Sequence, residues 1–144
     1  MIDFFSENDF QLQNNDAVIK WLTEIISSEK YTLGELSFVF CSDAYLHKIN
    51  LEFLNHDTLT DIISFDYSLG NEVHGEVYIS TDRIEENAQE RNLDFDDELH
   101  RVMAHGVLHL CGFKDKTEEE GATMRLKEEE ALELRSVFKG LKDN

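Results

Sequence analysis

Two histidines in the second half of the chain have the spacing of metal ligands. His105 and His109 lie four residues apart in the segment LHRVMAHGVLHLCG, which spans residues 99–112. On a helix, side chains four residues apart lie on one face, so both imidazoles can reach a single cation. The spacing therefore predicts two ligands of a metal site on a helix.

A third ligand has to come from outside this helix. Gly112 predicts the end of the helix, because glycine readily adopts the left-handed conformation that terminates many helices, and the chain can then turn back. Asp115 follows at a position from which its carboxylate can approach the same ion. Three protein ligands leave a fourth position for water, which favours an enzyme, whereas four protein ligands would favour a structural metal.

The alternative is that His105 and His109 are ordinary residues of a half-buried helix. Gly106, which follows the first histidine, is disfavoured in a helix by about 1 kcal/mol relative to alanine, and this suggests close packing or clearance there. The HExxH signature of zinc proteases requires a glutamate at the position that Gly106 occupies. Protease chemistry is therefore less favoured than other metal-assisted reactions.

Other reactive side chains fit structural roles at least as well. His100 precedes His105 by five residues and is expected on a different face of the helix. The remaining histidines are isolated in sequence: His47, His56 and His74, the last interpreted as a surface residue or, as the alternative, a substrate contact. Asp61 and Ser64 in the segment TDIISF are either catalytic or part of a strand fastened to a loop. Cys111 is expected to be packed and unreactive.

Hydrophobic periodicity predicts the elements that position these residues. Strands are predicted at 2–5, 35–41, 61–67 and 75–80, and helices at 16–26, 43–53, 82–91, 94–112 and 118–141. The predicted caps are Asn15 or Asp16 for the first helix, Ser42 or Asp43 for the second, and Thr81 or Asp82 for the third. The Gly70/Asn71 turn predicts a hairpin. We therefore expect one α+β domain over residues 1–144, with helices packed on a small mixed sheet.

Composition limits the possible partners. The 144 residues carry 31 acidic and 13 basic side chains, for a net charge of -18, which repels polyanions at long range. This charge disfavours simple nucleic-acid binding, although an RNA enzyme with a local cation remains compatible with it. No export signal or membrane span is evident, and Cys41 and Cys111 lie too far apart to suggest a thiolate zinc cluster. We expect a cytoplasmic protein with reduced thiols and no membrane partner.

Three segments resemble the YbeY family of bacterial ribosomal RNA maturation factors, also described as single-strand-specific endoribonucleases. They are TDIISF at 60–65, HGEVYIS at 74–80 and HGVLHLCGF at 105–113, and the resemblance spans nearly the whole chain. It implies a zinc-binding α+β fold with one Zn²⁺ per chain and ribosomal RNA as substrate. It also implies a role in finishing the small-subunit RNA and in ribosome quality control, with the ribosome or ribosomal proteins as partners.

The chain departs from the family pattern HGxLHLxG(F/Y)DH at two places. Counted without a gap, the third family histidine falls on Asp115, whereas a shifted alignment would place Lys116 there, and a cationic lysine is a poor ligand. Two histidines and one aspartate form a harder site, which also suits manganese or another divalent ion. Upstream, Leu54 occupies the position where the family usually has an arginine, so a phosphate contact is expected to be missing.

The leading hypothesis is a metal-dependent endoribonuclease in which His105, His109 and Asp115 hold zinc and carry the catalysis. The candidate phosphate contacts are the nearest basic residues in sequence: Arg83, Arg91, Arg101, Lys114 and Lys116. The acidic composition favours an alternative of a different class, a non-catalytic ribosome assembly factor that binds basic ribosomal proteins and uses its metal structurally. A hydrolase of another substrate is a third possibility, for which no residue pattern provides specific support.

Overall fold

A four-stranded sheet and five helices make up the computed structural model, which describes residues 1–56 and 60–139. The strands are β1 (Ile2–Ser6), β2 (Thr32–Cys41), β3 (Ile62–Asp66) and β4 (Glu72–Ser80). The helices are α1 (Asn15–Ser28), α2 (Asp43–Leu54), α3 (Thr81–Arg91), α4 (Phe95–Leu110) and α5 (Glu118–Lys139). The order of elements and the α+β class match the prediction from sequence. No helix within the described residues is long and apolar enough to span a membrane.

The sheet is mixed, as predicted, with the strand order β1-β2-β4-β3. β1 and β4 both pair with β2 in parallel, whereas β3 pairs with β4 in antiparallel orientation and confirms the predicted hairpin. Both β2 and β4 begin three residues earlier than predicted, because Thr32 and Leu33 pair with Glu72 and Val73 across an irregularity in the register. β3 is left at one edge of the sheet, beside the candidate site.

Helix α4 packs closely against the sheet at Gly106. A Cβ atom added to Gly106 would lie 2.9 Å from Ile62 Cδ1 and 3.1 Å from Val77 Cγ1. Real Cβ atoms rarely approach other atoms this closely, so a larger residue would force the side chains of Ile62 and Val77, or the helix itself, to shift. The glycine between the two candidate ligands therefore reflects close packing, one of the two explanations suggested by the sequence.

Helix α5 packs on α4, on the side away from the sheet, and supports the helix that carries the two histidines. Met124 and Ala131 are buried in the core, with Leu134 and Phe138 partly buried against it, as the predicted apolar stripe requires. The indole Nε1 of Trp21 in α1 donates a hydrogen bond of 2.8 Å to the carbonyl oxygen of Ala131. Leu141, the last residue of the predicted stripe, lies outside the described residues.

Two of the predicted helix caps are wrong by one residue. The cap of α3 is Ser80, whose hydroxyl accepts a hydrogen bond of 3.2 Å from the amide of Arg83, rather than Thr81 or Asp82. Ser80 is also the last residue of β4, so the strand enters the helix without a loop that the sequence could have marked. α1 begins after Asn14, which is left-handed and makes no side-chain capping bond. Ser42 caps α2 as predicted.

Candidate metal centre

The two imidazoles predicted as ligands lie side by side on the last two turns of α4. The ring centroids of His105 and His109 are 4.5 Å apart, with the rings nearly perpendicular. Their side chains are 19% and 31% exposed, so they reach the surface from a helix that is otherwise largely buried. The helical spacing therefore places both nitrogens at an accessible edge of the core.

The chain reverses at Gly112, as the sequence predicted. Gly112 has a φ of +96°, and its amide donates to the carbonyl of His109 while the amide of Phe113 donates to the carbonyl of Leu108, both at 3.0 Å. These two bonds form the Schellman arrangement that ends many helices. The reversal returns the chain along the end of α4 and brings Asp115 over the two histidines.

Asp115 completes a group of three donor atoms. Its Oδ2 lies 3.3 Å from His105 Nε2 and 3.4 Å from His109 Nε2, and the three atoms lie within 4.8 Å of one another. Tetrahedral ligands bound at about 2.0–2.1 Å are separated from one another by about 3.3 Å. The two separations from Asp115 therefore match those expected around a single small divalent ion.

Hydrogen bonds on the opposite ring nitrogens orient both imidazoles. His109 Nδ1 donates to the carbonyl oxygen of Phe113 at 2.8 Å, and His105 Nδ1 donates to Glu128 Oε2 at 2.6 Å. Since a carbonyl and a carboxylate can only accept, neutral imidazoles carry their protons on Nδ1 and turn the Nε2 lone pairs towards Asp115. Three electron-rich atoms that face one another are stabilised by a cation between them.

A buried chain of charges holds Glu128 in place. Arg101 binds Glu128 Oε1 at 3.0 Å and forms a two-point contact with Glu98 at 2.9 and 2.7 Å. Glu98 is fully buried and Glu128 is 5% exposed. Burial alone would raise the pKa of Glu128, but hydrogen bonds from His105 and Arg101 outweigh it and lower that pKa. Glu128 is therefore an ionised acceptor for His105.

An open groove of about 540 Å³ lies over the donor group. Its far wall consists of the end of α2, with Asn50, Leu54 and His56, and of side chains from the segment 60–66. This groove exceeds the smallest volumes typical of ligand sites, and it gives an extended molecule access to the donor atoms.

Asp61 and Ser64 both line the groove, so the structure leaves each of their predicted roles possible. Asp61 is fastened to α3, because Asn87 Nδ2 donates to its Oδ2 at 3.2 Å, and its backbone carbonyl accepts from the amide of Ser80 at 3.0 Å. The side chain thus pins the start of β3 while it faces the groove.

The predicted phosphate contacts are not brought together at the groove. Arg83 binds Asp43 and Glu86, and Arg91 lies 3.6 Å from Glu98. Arg101 is held by Glu98 and Glu128 behind His105, and the hydrogen bond with Glu98 is the main reason that its pKa is raised. Lys114 and Lys116 are exposed beside Asp115, outside the residues that line the groove.

The predictions for His100 and the two cysteines agree with the structure, whereas His74 is half-buried rather than on the surface: its side chain is 24% exposed, and its Nδ1 accepts a hydrogen bond of 3.1 Å from the amide of Glu35. His100 is 7% exposed, packs against the ring of Trp21 and lies outside the metal-binding group, as its spacing predicted. Cys41 and Cys111 are free and buried, and burial is the main cause that raises the pKa of each thiol to about 12. Low thiol reactivity follows from this.

Two residues at the site were missed from the sequence. Glu128 lies between Met124 and Ala131 on the apolar stripe of α5, and an acidic residue in such a stripe is a recognisable sign of a buried partner. His56 is isolated in the linear sequence, which does not show that the end of α2 lines the same groove as the end of α4.

Comparisons with known proteins agree with this architecture. The model of the family described as endoribonuclease YbeY matches residues 3–135. The endoribonuclease YbeY of Christiangramia forsetii is 58% identical over 133 residues, covering 92% of this chain and 93% of the relative. That of Flavobacterium johnsoniae is 52% identical over 134 residues, covering 93% and 96%. The solution structure of TM1509 from Thermotoga maritima superimposes with a TM-score of 0.67 at 29% identity, covering 94% of this chain and 89% of that one. The chain belongs to the YbeY endoribonuclease family.

Proposed function

We propose that this protein is a metal-dependent endoribonuclease that cleaves single-stranded ribosomal RNA during ribosome maturation and quality control in the cytoplasm. The observation that carries the proposal is the convergence of His105, His109 and Asp115 on one point of an open groove. The relatives named as endoribonucleases support the type of reaction. Ribosomal RNA and the ribosome as partners rest on the family resemblance.

His105, His109 and Asp115 would hold one divalent ion per chain. Zinc suits two imidazoles and a carboxylate, and the aspartate extends the range to manganese. When bound, the ion supplies a positive charge that stabilises the negative charge developing on a phosphodiester. Glu128 and the carbonyl of Phe113 hold the two rings, so the donor atoms need no reorganisation before the ion binds.

An open donor group supports an enzyme over a protein with a purely structural metal. The group contains three protein donors among the described residues, and the groove gives an extended ligand direct access to them. A closed structural zinc site has four protein ligands. The assembly-factor hypothesis, which the acidic composition favoured, is therefore the weaker of the two.

The charge of the protein predicts weak RNA binding. A net charge of -18 repels the phosphate backbone, so association should be slow and less steeply dependent on salt than in a basic protein. Single-stranded RNA can bend to present one phosphate to the groove, whereas a duplex resists this. We therefore expect cleavage at unpaired positions and protection of paired ones.

The test is cleavage of labelled single-stranded RNA by purified, metal-loaded protein. Cleavage should disappear with a chelator and in His109→Ala, while His74→Ala, which removes a histidine outside the groove, should cleave like wild type. Activity that survives both chelation and His109→Ala would show that the metal group is not required. Absence of cleavage by the metal-loaded wild type, alone or with ribosomes, would favour the assembly factor.

A further inference from the structure

A lysine of α5 lies over the aromatic ring of the loop that follows α4. The ammonium nitrogen of Lys127 is 5.4 Å from the centroid of the Phe113 ring. A cation this close to an aromatic face is attracted by the electrons of the ring, since the interaction acts within about 6 Å. Phe113 belongs to the segment between Gly112 and Asp115. The contact therefore ties α5 to the chain reversal that brings Asp115 to the donor group.

A carboxylate at the end of α1 holds this lysine in place. Glu29, the residue that follows α1, accepts hydrogen bonds from Lys127 Nζ at 3.0 and 3.3 Å, and both side chains are partly buried. The hydrogen bond with Glu29 is the main cause that raises the pKa of Lys127, so the ammonium group stays charged. α1 and α5 together thus present a fixed cation to the Phe113 ring.

The backbone of Phe113 supports one of the two candidate ligands. Its carbonyl oxygen accepts the hydrogen bond of 2.8 Å from His109 Nδ1, and its amide donates to the carbonyl oxygen of Leu108 at 3.0 Å. Asp115 follows two residues later. The position of the Phe113 backbone therefore sets the direction of the His109 ring and the start of the segment that carries Asp115.

Two adjacent residues of α5 thus reach the two histidines by different routes. The carboxylate of Glu128 accepts a hydrogen bond directly from His105. Lys127 acts one step further away, through the ring of Phe113, whose carbonyl is the acceptor for His109. On the basis of the metal centre in the proposed function, we propose that Lys127 is a positioning residue that holds the Phe113 loop in the geometry that binds the metal.

The sign of the effect on metal affinity separates this role from a direct effect of charge. Without the cation over its ring, Phe113 loses a support, and His109 and Asp115 then have to be ordered when the ion binds, which weakens binding. A positive side chain near a cation site repels the cation, so the electrostatic effect of removing Lys127 is tighter binding. Weaker binding on removal of Lys127 is therefore the result specific to positioning.

The test is the zinc affinity of the purified variants, measured by competition with a chromogenic chelator. Lys127→Met should weaken zinc binding about three- to fivefold, which corresponds to one partly exposed contact between a cation and an aromatic ring. Lys127→Arg, which keeps a cation over the ring, should bind zinc like wild type. Arg125→Met removes the same charge from an exposed position of α5 and should not weaken zinc binding.

Hydrogen exchange of the imidazole protons, followed by NMR in the zinc-loaded protein, locates the effect. In Lys127→Met the Nδ1 proton of His109 should exchange faster than in wild type, whereas that of His105, which Glu128 still holds, should keep its rate. Wild-type or tighter zinc binding in Lys127→Met would overturn the proposal, and a lower urea unfolding midpoint alongside it would make Lys127 a purely structural residue. Absence of zinc binding by wild type would instead contradict the proposed metal centre itself.

Discussion

The two walls of the groove are built on opposite physical principles. On the α4–α5 side, buried charges hold one another: Glu98 binds Arg101, Arg101 binds Glu128, and Glu128 orients His105. On the α2–β3 side, Leu54 and His56 are exposed to solvent. Burial and complete hydrogen bonding fix atoms within tenths of an ångström, which metal binding requires, whereas exposure leaves surface for a ligand. Under the proposed function, the first wall would hold the metal and the second would remain open to RNA.

Among the substitutions that keep both histidines, the largest effect on metal binding is expected at Asp115, the donor that faces both imidazoles. Asp115→Asn removes the charge and should weaken zinc binding by more than about a hundredfold, because ligand identity decides affinity at a three-donor site. Asp115→His should preserve or tighten zinc binding, since an imidazole is a good zinc ligand. Competition with a chromogenic chelator measures both affinities. If Lys116→Ala alters the affinity and Asp115→Asn does not, the shifted alignment is correct.

The next largest effect is expected at Glu128, a positioning residue rather than a ligand. Glu128→Gln keeps the shape of the side chain but weakens its bond to His105 Nδ1, so zinc affinity should fall by about 10- to 100-fold. Glu129→Gln changes the exposed neighbour on the same helix and serves as the matched control. Equal zinc affinities for the two variants would mean that the buried chain of charges contributes only to folding.

A third prediction concerns the packing of α4 against β3 and β4 at Gly106. Gly106→Ala should destabilise the protein by about 1–2 kcal/mol, because overpacking against Ile62 and Val77 outweighs the gain in helix propensity. Gly121→Ala in α5, where the nearest atom is the flexible Arg125 Nη1 at 3.5 Å, should stabilise it by about 0.5–1 kcal/mol. Urea unfolding gives both values, and equal signs would contradict the packing account.

The smallest predicted effect is a gain in activity from a substitution at the end of α2. Leu54 is 40% exposed and lines the groove, so Leu54→Arg should place a cation among its carboxylates and raise kcat/KM for RNA a few-fold. Leu51→Arg adds the same charge to the same helix at a residue of 42% exposure outside the groove lining. An equal gain in both variants would show that overall charge, rather than position in the groove, limits the rate.

The sequence predicted those parts of the site that depend on local geometry. Helical spacing is enough to place His105 beside His109, and a glycine after the helix is enough to bring Asp115 back to them. Glu128 and His56 reach the site through tertiary packing, from positions 23 residues after His105 and 49 residues before it. No periodic pattern in the sequence shows that either residue lies at the site. For Glu128, however, an acidic residue within the apolar stripe of α5 was a usable sign.

The same limit applies to the basic residues that the sequence offered as phosphate contacts. Arg83, Arg91 and Arg101 were candidate phosphate contacts because they are close to the motif in sequence. Each lies beside carboxylates that the linear order could not pair with it, such as Asp43 for Arg83 and Glu128 for Arg101. In a chain with more than twice as many acidic as basic residues, a basic side chain is usually paired unless the fold exposes it.

The most direct test of the central claim is the metal content of the purified protein. Elemental analysis after dialysis should find one equivalent of a divalent ion, most readily zinc, in wild type. His105→Ala and His109→Ala should each contain none, whereas His74→Ala, with a near-native unfolding midpoint, should retain one equivalent. A full equivalent in both His105→Ala and His109→Ala, or none in a wild type saturated with zinc, would contradict the assignment of His105, His109 and Asp115 as a metal centre.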